Sequence, residues 1–378
     1  MTDGGSVLAA LAGAPAGPEL LAAAAGLDGI HLVGGAVRDL LLGSTPRELD
    51  VVVDGDPAAL LDRLGDPTVR HARFETATVT TPGGRIDVAR SRRERYPVPG
   101  GLPEVEPAPL ADDLARRDFT VNAIAVGLAD GALRAVPGGL ADLRAGRLRV
   151  LHDRSFVDDP TRLLRLARYR VRLGFAVEPH TAALAAAASL EGVSGARVGT
   201  ELRLALGEPD PLSVLAGVPG LPVSIDAGLA ARALELLPAG ARADLMLLGV
   251  ATRSAASPAW LESLEFTARE RDVVLAVWAA DRLAAAIAAA ARPSELHAVL
   301  ARAPVEAIAV AGALGPRAPA RRFLDELRLV RLEIDGDDLL AAGLRGPEIG
   351  ARLARTLARK LDGELAGGRA AELESALG

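Results

Sequence analysis

Three carboxylates in the N-terminal part of the chain have the spacing of a metal-dependent catalytic site. Glu48 and Asp50 are two positions apart where the apolar strand predicted for residues 49–53 opens. Residues two apart on a strand face the same side, so we expect these carboxylates to converge. Asp87 interrupts a second apolar run, where a charge normally requires a partner or a metal ion. Such oxygen ligands suit Mg²⁺, and the trio predicts metal-assisted attack on phosphorus. Taken singly, the Glu48–Asp50 pair fits a solvated strand edge better.

A pair of glycines precedes these acids. Gly34 and Gly35 separate a predicted strand, Ile30–Val33, from a predicted helix, Ala36–Leu42. Two glycines allow backbone N–H groups to approach an anion, and a helix N-terminus adds partial positive charge. Arg38 would lie in the first turn, where it could contact a phosphate. The alternative is an ordinary strand-to-helix turn.

Charge and composition exclude several classes of protein. The net charge of −6 argues against a protein that coats nucleic acid, yet five arginines and a single acid, Asp159, occupy residues 159–172. Such a stripe favours a defined anionic ligand. The only lysine is Lys360, so no phosphate-binding Gly-Lys-Ser/Thr loop exists, and no GxGxxG fingerprint is present. The lack of cysteine excludes thiolate zinc sites and disulfides. No apolar run is long enough to span a bilayer and the N-terminus lacks a basic leader, so we expect a cytoplasmic protein.

The elements that must position these residues change in kind along the chain. Up to about residue 148 short strands alternate with helices, including a hairpin of Thr76–Thr81 with Arg85–Ala89, a loop at Pro97–Pro109 and a strand at Val121–Leu128. From Pro160 onward the pattern is helical almost throughout. The length of 378 residues also favours more than one domain.

Several motifs in order resemble one family. "LVGGAVRDLLLG" with "ELDVVVDGD" resembles the head motif of polymerase-β-like nucleotidyltransferases. "RIDVARSRRERY", "LARRDFTVNAIAV" and "VLHDRSFVDDPTRLLRLARYRVRLGF" resemble successive motifs of the bacterial CCA-adding enzymes and their poly(A) polymerase relatives. The resemblance runs from about residue 30 to 203 and resumes weakly near "LEIDGDDLLAAGLRGPEIGARLARTL". It implies an α+β fold with a mixed-sheet catalytic head at residues 20–148. A helical neck that reads the base (149–215) and a helical body and tail that bind RNA (216–378) would follow.

The resemblance also implies roles for individual residues. Glu48 and Asp50 match the metal ligands, and Asp87 the third catalytic acid. The triphosphate-binding turn is matched by Gly34, Gly35 and Arg38. Nucleotide contacts are implied for Arg117 (phosphate), Asp118 (ribose hydroxyl), Asn122 (support), Asp159 and Arg162 (base), with Arg165 and Arg168 behind them. Mg²⁺, CTP, ATP and the tRNA 3′ end are the implied cofactor, substrates and partner.

The proposed base-reading pair has a physical rationale and a rival. Asp159 and Arg162, three apart, would share a helix face and present an acceptor beside a fork of donors. Cytosine and adenine each offer an amino donor beside a ring-nitrogen acceptor, whereas uracil and guanine offer a carbonyl where the carboxylate needs a donor. The rival interpretation is that Asp159 caps a helix whose first residue is Pro160.

The chain departs from the family pattern at three places. The first metal ligand is usually Asp, and Glu48 is longer by one methylene. The Ser-x-Glu-Arg signature reads Ser194-Gly195-Ala196-Arg197, although Arg197 and Glu201 remain. His152-Asp153 resembles a phosphohydrolase dipeptide, but too few histidines follow it for a second metal domain.

These observations predict template-independent addition of C and A nucleotides to the 3′ end of tRNA. The alternatives are a poly(A) polymerase and an enzyme restricted to CC or to the terminal A. A non-catalytic RNA-binding protein is disfavoured by the intact acidic trio. A small-molecule nucleotidyltransferase is disfavoured by the long helical C-terminal half.

Overall fold

Short apolar runs between glycine-containing turns form the strands of a mixed sheet in the N-terminal half of the chain. The structure is a computed structural model that describes residues 4–71, 76–365 and 367–378. The chain divides into two compact units, Met1–Glu201 with Gly217–Gly220 and Leu202–Ala216 with Leu221–Gly378. The predicted α+β head followed by helices is confirmed.

The strands all lie in the first unit. In chain order they are β1 (Ile30–Val33), β2 (Leu49–Val53), β3 (Val69–His71), β4 (Thr76–Thr81), β5 (Gly84–Arg90), β6 (Arg92–Arg95), β7 (Glu104–Pro107), β8 (Ile124–Gly127), β9 (Leu133–Ala135), β10 (Arg147–Leu148) and β11 (Ala176–Val177). Within the described residues, a seven-stranded sheet has the order β3-β4-β5-β2-β1-β8-β9. In this sheet β2 and β5 are parallel, whereas β1 is antiparallel to both β2 and β8.

Short helices cover this sheet, and a longer one follows it. They are α1 (Gly4–Leu11), α2 (Gly17–Ala24), α3 (Gly35–Leu41), α4 (Ala58–Leu64), α5 (Leu110–Ala115), α6 (Gly139–Arg144), α7 (Ser155–Asp158), α8 (Arg162–Leu173), α9 (Pro179–Ala186) and α10 (Gly195–Leu206). On one face of the sheet Val33, Val52 and Ala125 pack against Leu110 and Leu114 of α5. This burial fixes β1 and β2, which end and begin at the candidate site.

The second unit is helical throughout its described part. Its helices are α11 (Pro211–Ala216), α12 (Ala227–Leu234), α13 (Ala243–Thr252), α14 (Pro258–Ser263), α15 (Ala268–Trp278), α16 (Ala280–Ala289), α17 (Pro293–Leu300), α18 (Val305–Ala313), α19 (Arg317–Asp325), α20 (Gly336–Ala341), α21 (Pro347–Leu361) and α22 (Arg369–Leu377). One core includes Met246, Ile308 and Phe323. A smaller one is formed by Ile334, Leu339 and Ala376. No helix of the described residues is both long enough and apolar enough to cross a bilayer.

Two sequence predictions need correction. The stretch Pro97–Pro109, predicted as a loop, contains β7, which pairs with β6. Every residue of β6 is charged and β7 carries two glutamates, and cross-strand pairs such as Arg93–Glu106 stabilise the ribbon without an apolar face. The predicted strand Val121–Leu128 is shorter, because Thr120–Asn122 form a 3₁₀ turn before β8.

Candidate nucleotide-transfer site

Two of the three predicted catalytic acids lie on neighbouring parallel strands. Asp50 of β2 and Asp87 of β5 are register partners, so their side chains lie side by side on one face of the sheet. Asp87 accepts hydrogen bonds from Thr78 Oγ1 (2.5 Å) and Arg85 Nε (3.1 Å). Glu48 is exposed and lies just before β2 rather than within it. The sheet therefore holds two of the three carboxylates side by side, and Glu48 lies on the preceding bend, where its charge acts on Asp50.

The electrostatics of Asp50 favour a bound cation. Burial, opposed by the charge of Arg117 and assisted by the negative charges of Glu48 and Asp87, raises the pKa of Asp50 to about 6. Among the described residues, no three Asp, Glu or His side chains converge closely enough to hold a metal by themselves. A divalent ion would fit here if water or substrate phosphates supplied its remaining ligands, which is the coordination that Mg²⁺ prefers.

The glycine turn lies directly against this acidic pair. Gly34 follows β1 with φ of 70° and ψ of −134°, a backbone conformation that only glycine adopts without strain. A Cβ atom built on Gly34 would lie 2.7 Å from Arg117 Nη1 and 3.7 Å from Asp50 Oδ2. Arg117 donates from Nη2 to Asp113 Oδ2 (2.9 Å), and its buried Nε has no hydrogen-bond partner among the described residues. The turn, the guanidinium and the carboxylate thus lie close together, and Arg117 has donor capacity left for an anion.

Arg38 occupies a different position from the one the sequence suggested. Its guanidinium is 1% exposed and donates to Asp39 Oδ1 (2.6 and 2.8 Å) and to Asn122 Oδ1 (2.6 Å). It lies beneath the turn, since a Cβ on Gly35 would be 3.5 Å from its Nη2. Arg38 therefore braces the turn and adds positive charge below it. Direct contact with a phosphate stays a prediction and would require these bonds to be exchanged.

Asp118 and Asn122 continue the same network. Asp118 accepts from the Phe119 amide (2.8 Å), Asn122 Nδ2 (2.9 Å) and Arg165 Nε (2.7 Å). Burial alone would raise the pKa of Asp118, but Arg165 and the Asn122 hydrogen bond lower it to about 2. Asp118 is thus a firmly ionised carboxylate that orients its neighbours. Its predicted role toward a ribose hydroxyl is not tested by these contacts.

Helix α8 begins later than predicted, and this changes the relation of Asp159 to Arg162. Asp159 is extended (φ −134°) and lies before the helix, so helical periodicity does not align the two side chains. Asp159 Oδ1 accepts from Thr161 N (3.1 Å), Thr161 Oγ1 (2.6 Å) and Arg197 Nη2 (2.7 Å). The capping interpretation is therefore partly correct, although the N-cap residue itself is Thr161. All these bonds use one oxygen, which leaves Oδ2 available for another donor.

Arg162 and the two arginines behind it are held in place. Arg162 donates to Ser155 Oγ (2.7 Å) and to the Arg116 carbonyl (2.8 Å), so part of its fork of donors remains. Arg168 pairs with Glu201 at 2.9 Å, and Arg165 lies 3.5 Å from the same carboxylate. Arg165 thereby links α8 and α10 to Asp118.

Three residues with clear roles in this site were not predicted from the sequence. Arg197 clamps Asp159 and also donates to the Gly100 carbonyl (2.7 Å). Asp113 binds Arg117 and Arg116, and Arg116 presents its carbonyl to Arg162. The Asp113–Arg117 spacing of four on a helix was a signal for this pair. The long-range clamp from Arg197 had none.

Comparison with known proteins assigns this arrangement to a class. Residues 30–149 match the poly A polymerase head domain. The chain is 46% identical over 211 residues to a CC-adding tRNA nucleotidyltransferase of Deinococcus radiodurans, covering 51% of this chain and 56% of that protein. It is 42% identical over 204 residues to an A-adding tRNA nucleotidyltransferase of Geobacter sulfurreducens, covering 51% and 23%. A solved complex of a CCA-adding enzyme with CTP superimposes with a TM-score of 0.77 and 26% identity, covering 100% of this chain and 98% of that one.

The fold and the site are similar to those of nucleotidyltransferase heads. The chain is therefore similar to poly A polymerase head domains over residues 30–149, and it resembles CC-adding, A-adding and CCA-adding enzymes. The matched region spans about half or less of the length of these curated relatives. The family implies use of a divalent metal ion, and the Asp50–Asp87 pair is the part of this chain suited to it.

Proposed function

We propose that this chain is an RNA nucleotidyltransferase that adds C and A nucleotides to the 3′ end of tRNA, using CTP, ATP and Mg²⁺. The observation that carries the proposal is the close approach of Arg117 and Asp50 to Gly34, with Asp87 beside Asp50. Two carboxylates and an arginine facing a glycine turn suit a triphosphate and a hydroxyl nucleophile. The assignments of Glu48, Asp50 and Asp87 as catalytic and of Glu48 and Asp50 as metal ligands belong to this proposal.

The reaction would be an in-line displacement on phosphorus. The RNA 3′-hydroxyl oxygen forms a bond to the α-phosphorus, the bond from that phosphorus to the β-phosphate oxygen breaks, and pyrophosphate leaves. Bound Mg²⁺ would supply charge neutralisation at the phosphate oxygens. Arg117, beside the Gly34 turn, would orient the triphosphate, while Arg38 and Asp118 hold that turn and α8 in register. No covalent enzyme intermediate is required.

Selection of the incoming base would fall to Asp159 and Arg162. Asp159 Oδ2 is the oxygen left over after the capping bonds, and it can accept from the amino group of cytosine or adenine. The remaining donors of Arg162 can satisfy the adjacent ring nitrogen. Arg165 and Arg168 support this pair through Asp118 and Glu201.

A restricted enzyme is the second candidate, and one specific observation favours it. Both curated relatives described above carry names for partial addition, CC in one and the terminal A in the other. The chain shares the catalytic region with both, so the residues described here suit either outcome. The division into head (20–148), neck (149–215) and RNA-binding body and tail (216–378) likewise remains a proposal.

One experiment separates these functions. The full chain is incubated with Mg²⁺, all four NTPs and tRNA lacking one, two or three terminal nucleotides, one NTP at a time is labelled, and the products are sized. A CCA-adding enzyme completes all three substrates. A CC-adding enzyme stops before the terminal A, an A-adding enzyme uses only the tRNA lacking one nucleotide, and a poly(A) polymerase extends beyond the natural end. No incorporation in any reaction would contradict the proposal.

A further inference from the structure

Asp87, one of the two carboxylates suited to the metal ion, is held by an arginine from its own strand. Arg85 Nη2 lies 2.7 Å from Asp87 Oδ2, and Arg85 Nε donates to Asp87 Oδ1 (3.1 Å). The two residues are two apart on β5, so their side chains lie on the same face of the sheet. Guanidinium groups bind carboxylates most strongly through two such bonds. Both oxygens of Asp87 are therefore engaged by one guanidinium.

The second partner of Asp87 bonds to one oxygen only. Thr78 Oγ1 donates to Asp87 Oδ1 (2.5 Å) from the paired position on β4. A hydroxyl orients the carboxylate without adding charge, as the hydrogen-bond partners of metal-binding carboxylates do. Among the described residues, Asp87 Oδ2 is bonded by Arg85 alone. Oδ2 is thus the oxygen that Asp87 can offer to a metal ion, provided that Arg85 leaves it.

Arg85 is held loosely enough to leave. Its side chain is 54% exposed, and among the described residues it pairs with Asp87 only. Exposed ion pairs of this kind are weak. The hydrogen bond and the negative charge of Asp87 raise the pKa of Arg85 against partial burial. The charges of Glu48 and Asp50 add to this effect, so the guanidinium offsets the charge of all three acids, as a metal ion would.

We propose that Arg85 is a counter-ion that competes with the divalent metal ion for Asp87. Arg85 neutralises Asp87 in the metal-free protein and leaves Oδ2 when the metal ion binds. The two cations repel each other at one carboxylate, so Arg85 lowers the affinity for the metal. This penalty acts most on a metal ion that arrives without a triphosphate, whose oxygens would supply further ligands. The inference rests on the metal site of the proposed function and assigns a role to a residue outside it.

The test measures metal binding in the absence of the reaction. Mn²⁺, which suits the same oxygen ligands as Mg²⁺, is titrated into the full chain without nucleotide, and free Mn²⁺ is measured by electron paramagnetic resonance. Arg85→Gln removes the charge and keeps a polar side chain. We expect it to tighten Mn²⁺ binding at least about threefold. The matched control is Arg144→Gln on α6, an exposed arginine that pairs with no other side chain among the described residues, and it should leave the affinity unchanged.

Thr78→Val should change the affinity in the opposite direction. Valine keeps the shape of threonine and removes the hydroxyl that orients Asp87. We expect Mn²⁺ binding to weaken roughly tenfold in this variant. If Arg85→Gln also weakens binding, Arg85 orients Asp87 as Thr78 does, and the proposed competition is wrong. Unchanged binding in Arg85→Gln would overturn it equally.

Asp50→Asn separates a failure of this inference from a failure of the proposed function. If the wild-type chain binds Mn²⁺ in a manner that Asp50→Asn abolishes, while Arg85→Gln has no effect, the metal site stands and only the role of Arg85 falls. If no Mn²⁺ binding that depends on Asp50 occurs in the wild-type chain or in Arg85→Gln, the proposed metal site fails, and this inference fails with it.

Discussion

At the scale of single residues, Asp50 experiences opposite electrostatic effects from its neighbours. Asp87 and Glu48 disfavour its negative charge and Arg117 favours it, so the ionised carboxylate needs a bound cation to be stabilised. Asp50→Asn keeps the volume of the side chain and removes the charge. We expect nucleotide transfer to fall by at least about a thousandfold, since a metal ligand is lost. Single-turnover assays with saturating NTP and Mg²⁺ measure this.

The control for that variant is Asp62→Asn. Asp62 is an exposed carboxylate on α4 that pairs with no other side chain among the described residues. It changes the net charge by the same amount and should leave the rate unchanged. Near-normal turnover in Asp50→Asn would remove Asp50 from the catalytic group.

The pKa of Asp50 also predicts how the stability of the fold depends on pH. A carboxyl group whose pKa rises from 3.8 to about 6 on folding binds its proton more tightly in the folded state. Stability is therefore lost as pH rises from about 4 to 6, and the cost is fully present above that range. In the absence of divalent ions, Asp50→Asn should raise the free energy of unfolding at pH 8 by about 1–3 kcal/mol.

The same substitution should have almost no effect near pH 3.5, where Asp50 is protonated in both states. Urea titrations at the two pH values, in EDTA, provide the measurement. An equal loss of stability at both values would indicate that Asp50 makes a structural hydrogen bond that asparagine cannot replace.

Sequence reasoning succeeded for residues whose neighbours are set by strand periodicity. Asp50 and Asp87 could be predicted to meet because both interrupt apolar strands. The burial of Arg38 could not be predicted, since its partner Asn122 is far away in the chain and lies in a 3₁₀ turn. The bond from Arg197 to Asp159 could not be predicted for the same reason, because it joins two elements that are far apart in the chain.

At the scale of elements, the turn between β1 and α3 combines backbone conformation with close approach. Gly34→Ala forces a side chain into a conformation that suits glycine and places Cβ against Arg117. We expect a stability loss of about 1–3 kcal/mol and a KM for NTP raised at least about tenfold, because Arg117 must move. Steady-state kinetics and thermal melting measure the two effects.

The variant Gly43→Ala separates the effect of backbone strain from the effect of displacing Arg117. Gly43 also has positive φ (73°), but nothing lies within 4 Å of a Cβ built there. This variant should lose some stability and keep its KM. A raised KM in both variants would attribute the defect to general loosening of α3 rather than to Arg117.

The side chains at the start of α8 are the ones proposed to select the incoming base in place of a nucleic-acid template. Arg162→Ala should slow the use of CTP and ATP and reduce discrimination against UTP and GTP. A wrong base leaves a buried donor or acceptor unpaired, at about 1–3 kcal/mol, which corresponds to roughly tenfold to a hundredfold in selectivity. Arg197→Ala should act in the same direction, because it frees the Asp159 carboxylate.

Arg170→Ala is the control on the same helix, since Arg170 is exposed and pairs with no other side chain among the described residues. Single-turnover rates with all four nucleotides, measured beside a melting curve, test the assignment. If Arg162→Ala and Arg197→Ala lower the melting temperature while nucleotide preference holds, these residues only stabilise the start of α8.

Element prediction worked where apolar runs and turn residues agreed, as in the β4–β5 hairpin. It failed at β7, where alternating Glu and Val residues between prolines look like a loop. Cross-strand ion pairs with β6 stabilise this strand, and they leave no apolar pattern in the sequence from which it could have been predicted. Helix α8 was placed early because Asp-Pro resembles a helix start, whereas the backbone turns once more before the helix begins.

At the scale of the whole molecule, the second unit is proposed to bind RNA. Its C-terminal tail is part of its core, so deleting the tail would not test RNA binding alone. Leu327 and Leu361 belong to the same buried cluster as Ile308 and Phe323. The side chain of Asp362 accepts from both the amide and the hydroxyl of Ser294 at the start of α17. Deletion from about residue 325 would therefore open this core, and lost tRNA binding would then report unfolding.

A charge reversal on the surface of α21 tests the grip without disturbing that core. Arg355 is exposed and pairs with no other side chain among the described residues, unlike Arg352, which pairs with Glu348. If the tail binds the phosphate backbone of tRNA, Arg355→Glu should weaken tRNA binding about threefold to thirtyfold. The slope of log K against log salt should fall in magnitude by about 1, because one fewer counterion is released.

The KM for NTP should stay unchanged in the same variant, since every proposed nucleotide contact belongs to the first unit. Filter binding at several salt concentrations, beside NTP kinetics, gives both quantities. Arg302→Glu, at another exposed arginine of the second unit, serves as the matched control. Equal weakening by both variants would indicate a diffuse electrostatic effect, since a defined contact on α21 predicts that only Arg355→Glu lowers the salt dependence. An unchanged tRNA affinity in Arg355→Glu would place the RNA on another face of the second unit.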